Sequence, residues 1–157
     1  MEDRLLFITI AFPGARCIYY AIAVLLGGAV WWIWKKPAAG LLTACALGLL
    51  TETVLLRPAF VGLHFQPELF WSWKEWTEQH NQILTNIVMF VPIGVLTTCL
   101  WKGKGILVSA GLSILIEVLQ LVTERGLCEV DDVIHNCFGA LIGFVLVLVF
   151  HRSTFKK

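Results

Sequence analysis

Five stretches of this chain are long enough and apolar enough to cross a bilayer. A hydrocarbon core of about 30 Å takes roughly 20 mostly apolar residues of helix, with about 17–25 the usual range. Residues 17–34 and 83–101 contain no charged side chain, 37–56 contains only Glu52, 105–123 only Glu117, and 133–150 none, although it includes His135. Inside hydrocarbon every backbone polar group must find its partner within the protein, and a single run of this length does so as a helix. The expected fold class is therefore all-α: a polytopic membrane helical bundle of about five transmembrane helices, forming a single membrane domain over residues 1–157. Composition agrees, since 58% of the residues are hydrophobic and 15% charged, against about 45–50% and about 25% in soluble domains.

Short-loop lysine and arginine set the orientation. Lys35 and Lys36 follow the first span, Lys102 and Lys104 the third, and Arg152, Lys156 and Lys157 the fifth, with no acidic residue in any of these segments. With five spans all three lie on one side, which predicts a cytoplasmic C-terminus and an N-terminus outside. The run Leu5 to Phe12 is too short to span, is broken by Pro13 and Gly14, and follows Glu2 and Asp3 where a signal peptide would be basic; it reads as interfacial or half-inserted. Residues 58–82 form the long outer segment. There Leu69, Phe70, Trp73 and Trp76 recur at helical spacing opposite Glu68, Lys74, Glu75 and Glu78, as in an amphipathic helix lying in the headgroup plane. An aromatic-rich loop packed on the span ends fits the same residues. A net charge of +1 argues against a nucleic-acid partner, which calls for a basic excess. The five cysteines read as small hydrophobes rather than as a disulfide framework; Cys128 and Cys137 are too far apart to bridge if both are helical.

The few polar residues of the spans gather at one end. At 1.5 Å of rise per residue, Glu52 lies about 6 Å and Glu117 about 9 Å below the outer boundary, while Asn86 and Asn136 each lie about 5 Å below it. Arg57, Arg125, Asp131 and Asp132 stand at that boundary. Ser109, Ser113, Glu117, Gln120 and Glu124 step by four, four, three and four, a polar stripe along one helix face. Asp132, Asn136, Gly139 and Gly143 step similarly, their two glycines making a small-xxx-small face. The simplest bundle packs these two stripes together below an outward-opening polar pocket of Glu52, Arg57, Asn86, Glu117, Gln120, Arg125, Asp132 and Asn136. A carboxylate in lipid costs about 2.5–3.5 kcal/mol on insertion scales, so Glu52 or Glu117 is expected to pair with Arg57 or Arg125. Pro92 and Gly94 are expected to weaken the ladder of the third span.

Three chemistries fit such a cluster. Asp131, Asp132 and His135 with Glu117 are ligand types for a divalent metal, but their spacing matches no metal motif, and paired aspartates at a helix start act as caps favoured by the dipole; no metal and no cofactor is expected. Glu117 with Asp131 or Asp132 could serve as acid and base, without an activated serine or cysteine beside them. The third is recognition of a polar headgroup, a peptide stem or an antibiotic, or the same contacts could simply hold the bundle together.

The polar residues also carry a resemblance. Asn86-Ile-Val-Met-Phe90-Val-Pro92-Ile-Gly94 resembles the first signature of the VanZ-like family, and Glu117, Gln120, Arg125, Glu129, Asp131, Asp132, Asn136, Gly139 and Gly143 resemble its second block. His64, Gln66, Pro67 and Phe70 are similar to a looser outer-loop element. Glu129 stands where the pattern has Asp, and His135 falls at a position the pattern leaves free. The resemblance implies a small multi-pass protein of a bacterial cell membrane, among membrane lipids, and an association with low-level resistance to teicoplanin, a lipid-bearing glycopeptide. It implies no established reaction. Its partner would be the lipoglycopeptide or a lipid-linked cell-wall precursor; a membrane enzyme acting on such a precursor, or a carrier, is the competing expectation.

Overall fold

The computed structural model of the chain describes residues 14–57 and 65–150; the Leu5 to Phe12 run, His64 and the basic tail from Arg152 lie outside them. The order is helix α1 (Gly14–Trp34), α2 (Pro37–Leu50) running into a π-helical turn (Thr51–Leu55), strand β1 (Phe65–Gln66), one-turn helix α3 (Trp71–Lys74), α4 (Trp76–Trp101), a 3-10 turn (Lys102–Lys104), α5 (Gly105–Thr123), β2 (Cys128–Glu129) and α6 (Val130–Phe150). The two short strands pair. The protein is an all-α membrane helical bundle. Four helical stretches are long and apolar enough to span a membrane: Arg16–Trp34, Pro37–Leu55, Trp76–Thr123 and Val130–Phe150. The third, of 48 residues, holds both α4 and α5, which part at Lys102, where φ is 54°.

Two compact units divide the chain. One comprises Met1–Phe65 with Val118–Cys128, the other Gln66–Glu117 with Glu129–Lys157. In the first, α1 ends at Lys35, whose φ is 55°, and Pro37 opens α2 at a position where its missing N–H costs nothing. The two helices pass closely at Gly27 and Gly40: a Cβ on Gly27 would lie 2.6 Å from the Gly40 carbonyl oxygen.

In the second unit α4 and α6 are the main packing pair, and their contact is main chain on main chain. A Cβ on Gly139 would lie 2.1 Å from the Ile87 oxygen, one on Gly143 2.3 Å from the Val91 oxygen, and one on Gly94 2.2 Å from the Ala140 oxygen. The small-residue face of α6 is thus taken by α4, not by the polar stripe of α5 as the simplest packing had it. The two stripes do meet at Asn136, which donates to Ser113, while the glycines further along α6 take the α4 backbone, which approaches where no side chain projects. Pro92 lies inside α4, yet the helix runs 26 residues, about 39 Å; it removes one N–H from the ladder without ending it, as membrane helices tolerate.

The amphipathic stretch 68–79 is not one helix. Phe70 is left-handed at φ 61°, α3 makes a single turn, and Glu75 at φ −102°, ψ 38° breaks the path before α4 begins at Trp76. None of the five cysteines is in a disulfide.

Because the glycine contacts meet backbone rather than flexible side chains, Gly139→Ala should destabilise the protein by about 2 kcal/mol through overpacking. Gly111, whose added Cβ would meet nothing within 4 Å, supplies the control. Thermal unfolding in detergent should show a lowered midpoint for G139A and none for G111A.

Candidate functional site

Four carboxylates of the second unit come together where α5 ends and α6 begins: Glu117, Glu129, Asp131 and Asp132 are each at most 5% exposed. Asp131 and Asp132 lie in the first turn of α6, where the helix dipole favours negative charge. Their roles separate at once. The Asp131 carboxylate accepts the Phe70 N–H at 2.6 Å, the Ser72 N–H at 3.1 Å and the Ser72 hydroxyl at 2.6 Å. It therefore caps α3 and holds Phe70 in its left-handed conformation, across 61 residues of sequence.

Asp132 faces α4 instead. The Gln82 amide donates to both of its oxygens at 3.3 Å and to Glu129 Oε1 at 3.2 Å. Two amide hydrogens are thereby spread over three carboxylate oxygens, in long bonds. Glu117 Oε2 accepts the Glu129 N–H at 2.9 Å, and Asn136 donates to Ser113 Oγ at 2.9 Å. The polar stripe is buried from Ser109 to Gln120, with Ser109 and Ser113 at 0% and Gln120 at 1% exposure, while Glu124 at its end is exposed. Asn86 stands one helical turn from Gln82 on α4, and its Nδ2 is buried with no hydrogen-bond partner.

His135 joins this group from α6. Trp73 Nε1–H donates to His135 Nε2 at 3.0 Å, so the neutral ring carries its proton on Nδ1. That nitrogen is buried, makes no hydrogen bond, and lies 3.9 Å from Asp132 Oδ1.

In the first unit Glu52, in the π-turn, accepts the Tyr20 hydroxyl, and its nearest arginine is Arg16, with Nε at 4.0 Å. The expected pairing of Glu52 with Arg57 or Arg125 is replaced by these contacts because the packing of α1 on α2 brings the first turns of α1 to it. Arg125 donates to the Leu55 carbonyl, Gln120 to the Thr53 carbonyl at 3.0 Å, and Arg57 lies against Gly126, whose φ is 95°. Arg125 and Gln120 thus bond carbonyls of the π-turn, which lie among the last of the helix, where intrahelical partners run out. No group of three or more His, Cys, Asp or Glu side chains among the described residues is arranged to hold a metal.

Gln82, Glu129 and Trp73 were not singled out from sequence as site residues, nor Arg16 and Tyr20. A signal existed for Gln82: with Asn86 it makes an i, i+4 amide pair at the start of a span. Trp73 and Tyr20 had none, because aromatics near a membrane boundary are common.

The pattern of the VanZ/LLP1 family matches residues 17–151. The chain belongs to the VanZ/LLP1 family. Protein VanZ of Enterococcus faecium is 28% identical over 74 residues, 45% of this chain and 46% of that protein, so the chain spans less than half the length of this relative. No solved structure matches. In this VanZ/LLP1 chain the signature residues divide by task. Gly94, Gly139 and Gly143 set the α4–α6 contact, Asp131 fastens α3, and Glu117, Asp132 and Asn136 make up the buried polar cluster with Gln82 and Glu129.

Asp131→Ala removes three hydrogen-bond acceptances at once. Charge-assisted bonds contribute about 1.5–3 kcal/mol each and are not additive, so a loss of about 3 kcal/mol is expected. It should appear locally as faster tryptic cleavage after the exposed Lys74, while Ser72→Ala should give a smaller increase.

Proposed function

We propose that this VanZ-like membrane protein lowers susceptibility to teicoplanin and related lipoglycopeptides by holding the antibiotic, or a lipid-linked component of the bacterial cell envelope, at the Glu117, Asp132 and Asn136 cluster. The protein is multi-pass in the cell membrane, and lysines 35, 36, 102 and 104 mark its cytoplasmic side. The start of α6 then faces outward, toward the surface where cell-wall precursors are displayed. The observation that carries this reading is the set of buried polar groups gathered where α6 begins. Asp132 is held by long bonds from the Gln82 amide, which it shares with Glu129, and Asn86 Nδ2 and His135 Nδ1 are buried without a hydrogen bond. Such a site suits a ligand that presents hydroxyl and amide groups, able both to donate and to accept, as envelope precursors and glycopeptides do.

A second reading is favoured by His135. Its Nδ1, without a hydrogen bond and 3.9 Å from Asp132 Oδ1, sets an imidazole beside that carboxylate, as in a membrane enzyme working on an outer-leaflet precursor. There Glu117 and Asp132 would be the acid–base pair, Asp131 being occupied by Phe70 and Ser72.

Glu117→Gln and Asp132→Asn, expressed in a susceptible Gram-positive host, should return the inhibitory concentration of teicoplanin to that of cells without the protein. Immunoblots should show unchanged amounts in the membrane. Undiminished resistance with both variants would overturn the binding reading, and changed lipid-linked precursors in wild-type membranes alone would select the enzymatic one.

A further inference from the structure

The first unit contains a cavity of about 320 Å³ whose wall is built from α1, the end of α2 with its π-turn, and the end of α5. Arg16, Tyr19, Ala23 and Leu26 step by three, four and three along one face of α1, and the last three line the cavity. Across from them stand Thr51 and Val54 of the π-turn, with Thr123 from α5. The π-turn is what opens the space: the Leu56 N–H reaches the Thr51 carbonyl at 2.9 Å, an i to i+5 step that bulges the helix, and such bulges occur frequently at functional sites.

The wall is mostly apolar. Thr51 Oγ1 donates to its own helix at Leu47 O, 2.8 Å away, and Thr123 Oγ1 to Leu119 O, 2.6 Å away. Both of these hydroxyl protons are consumed inside the wall, so that Tyr19, on the side of Arg16, adds the remaining hydroxyl to an otherwise alkyl surface. Its rim is different. Arg16 stands one turn beyond Tyr19 with 61% of its side chain exposed, and Arg125 is held at the rim by the carbonyl of Leu55, which itself lines the cavity. Glu52, the acidic group beside Arg16, already accepts the Tyr20 hydroxyl.

We infer that this cavity holds an acyl chain of an anionic membrane phospholipid, with the lipid phosphate at Arg16 and Arg125. An alkyl chain is the ligand that a largely apolar wall selects, and two guanidiniums at the rim favour a phosphate of net negative charge over one neutralised by its own choline ammonium. This goes beyond the proposed function: the cavity belongs to the first unit and the carboxylate cluster to the second, so either can fail alone.

The full chain, reconstituted in phosphatidylcholine vesicles, is tested with phosphatidylglycerol carrying a diazirine in its acyl chain, and with the matching diazirine phosphatidylcholine. After irradiation and digestion, adducts should concentrate on peptides containing Tyr19 to Leu26 and Thr51 to Val54. Leu26→Trp, at an exposed position of the wall, should lower those adducts about tenfold, the order that filling a hydrophobic pocket costs, and leave labelling of residues 138–150 unchanged. Leu119→Trp provides the same block should L26W fail to fold. Arg16→Gln should reduce the preference for phosphatidylglycerol about fivefold, as loss of one surface cation does, while chain labelling persists. Labelling spread evenly over the lipid-facing helices, equal labelling by both lipids in the unaltered protein, or unlabelled cavity peptides in a protein that native mass spectrometry shows to be a dimer, would each overturn the assignment.

Discussion

The passage of α4 over the glycine face of α6 is the contact on which the second unit depends. Lipid chains are as apolar as leucine, so helices in a membrane gain little by burying apolar surface against each other and associate through close packing and polar contacts. Gly139 and Gly143 allow that closeness by leaving the Ile87 and Val91 carbonyls in contact with α6. The register then follows: Gln82 meets Asp132, Ile87 meets Gly139 and Val91 meets Gly143, positions that advance together, so the two helices run parallel. Everything polar at the start of α6 inherits its place from this register. Gln82 reaches Asp132 and Glu129 because the backbones below it cannot move apart.

Neighbouring carboxylates on one helix turn acquire different work from that register. Asp131 and Asp132 are adjacent, yet a helical step of about 100° directs one to α3 and the other to α4. Asp131 is satisfied by three donors, two of them backbone N–H groups. Asp132 shares one amide with Glu129 and has the His135 Nδ1–H at 3.9 Å. Burial is tolerable for a carboxylate with several donors and costly for one with few. Asp131 therefore reads as part of the scaffold, while Asp132 is held by long bonds from a shared amide.

The helices were legible because a bilayer imposes a length on them. A run of about 20 apolar residues has few other folds open to it, and Lys35, Pro37, Lys102 and Gly105 punctuate the runs. The faces were legible too: the stripe from Ser109 to Gln120 is buried, and Gly139 and Gly143 do admit a neighbouring backbone. Which neighbour was not legible. Periodicity reports what lies on a face and nothing about the element opposite, so the partner of the glycine face was expected to be α5 when it is α4. Glu52 shows the same gap, since its contacts Arg16 and Tyr20 depend on how α1 is rotated against α2. In the aromatic stretch from Glu68 to Gln79, Leu69, Phe70, Trp73 and Trp76 recur at helical spacing while Trp71 falls off that face, and the left-handed Phe70 answers to Asp131, 61 residues away. Pro92 was expected to weaken α4; the surrounding backbone contacts with α6 hold the helix through it.

Depth separates two kinds of buried polarity in the second unit, and the difference bears on what the protein can bind. Toward the Lys102 end, Thr97 and Ser109 are fully buried, and their hydroxyls bond to each other and to the Ile93 and Gly105 carbonyls. Those groups are spent within their own helices and fasten α4 to α5. At the other end Asp132 and Glu129 share the Gln82 amide in long bonds, and Asn86 Nδ2 and His135 Nδ1 are buried without a hydrogen bond. A ligand's polar groups gain little at the first layer, where they would displace bonds already made, and more at the second, where two buried nitrogens stand without one.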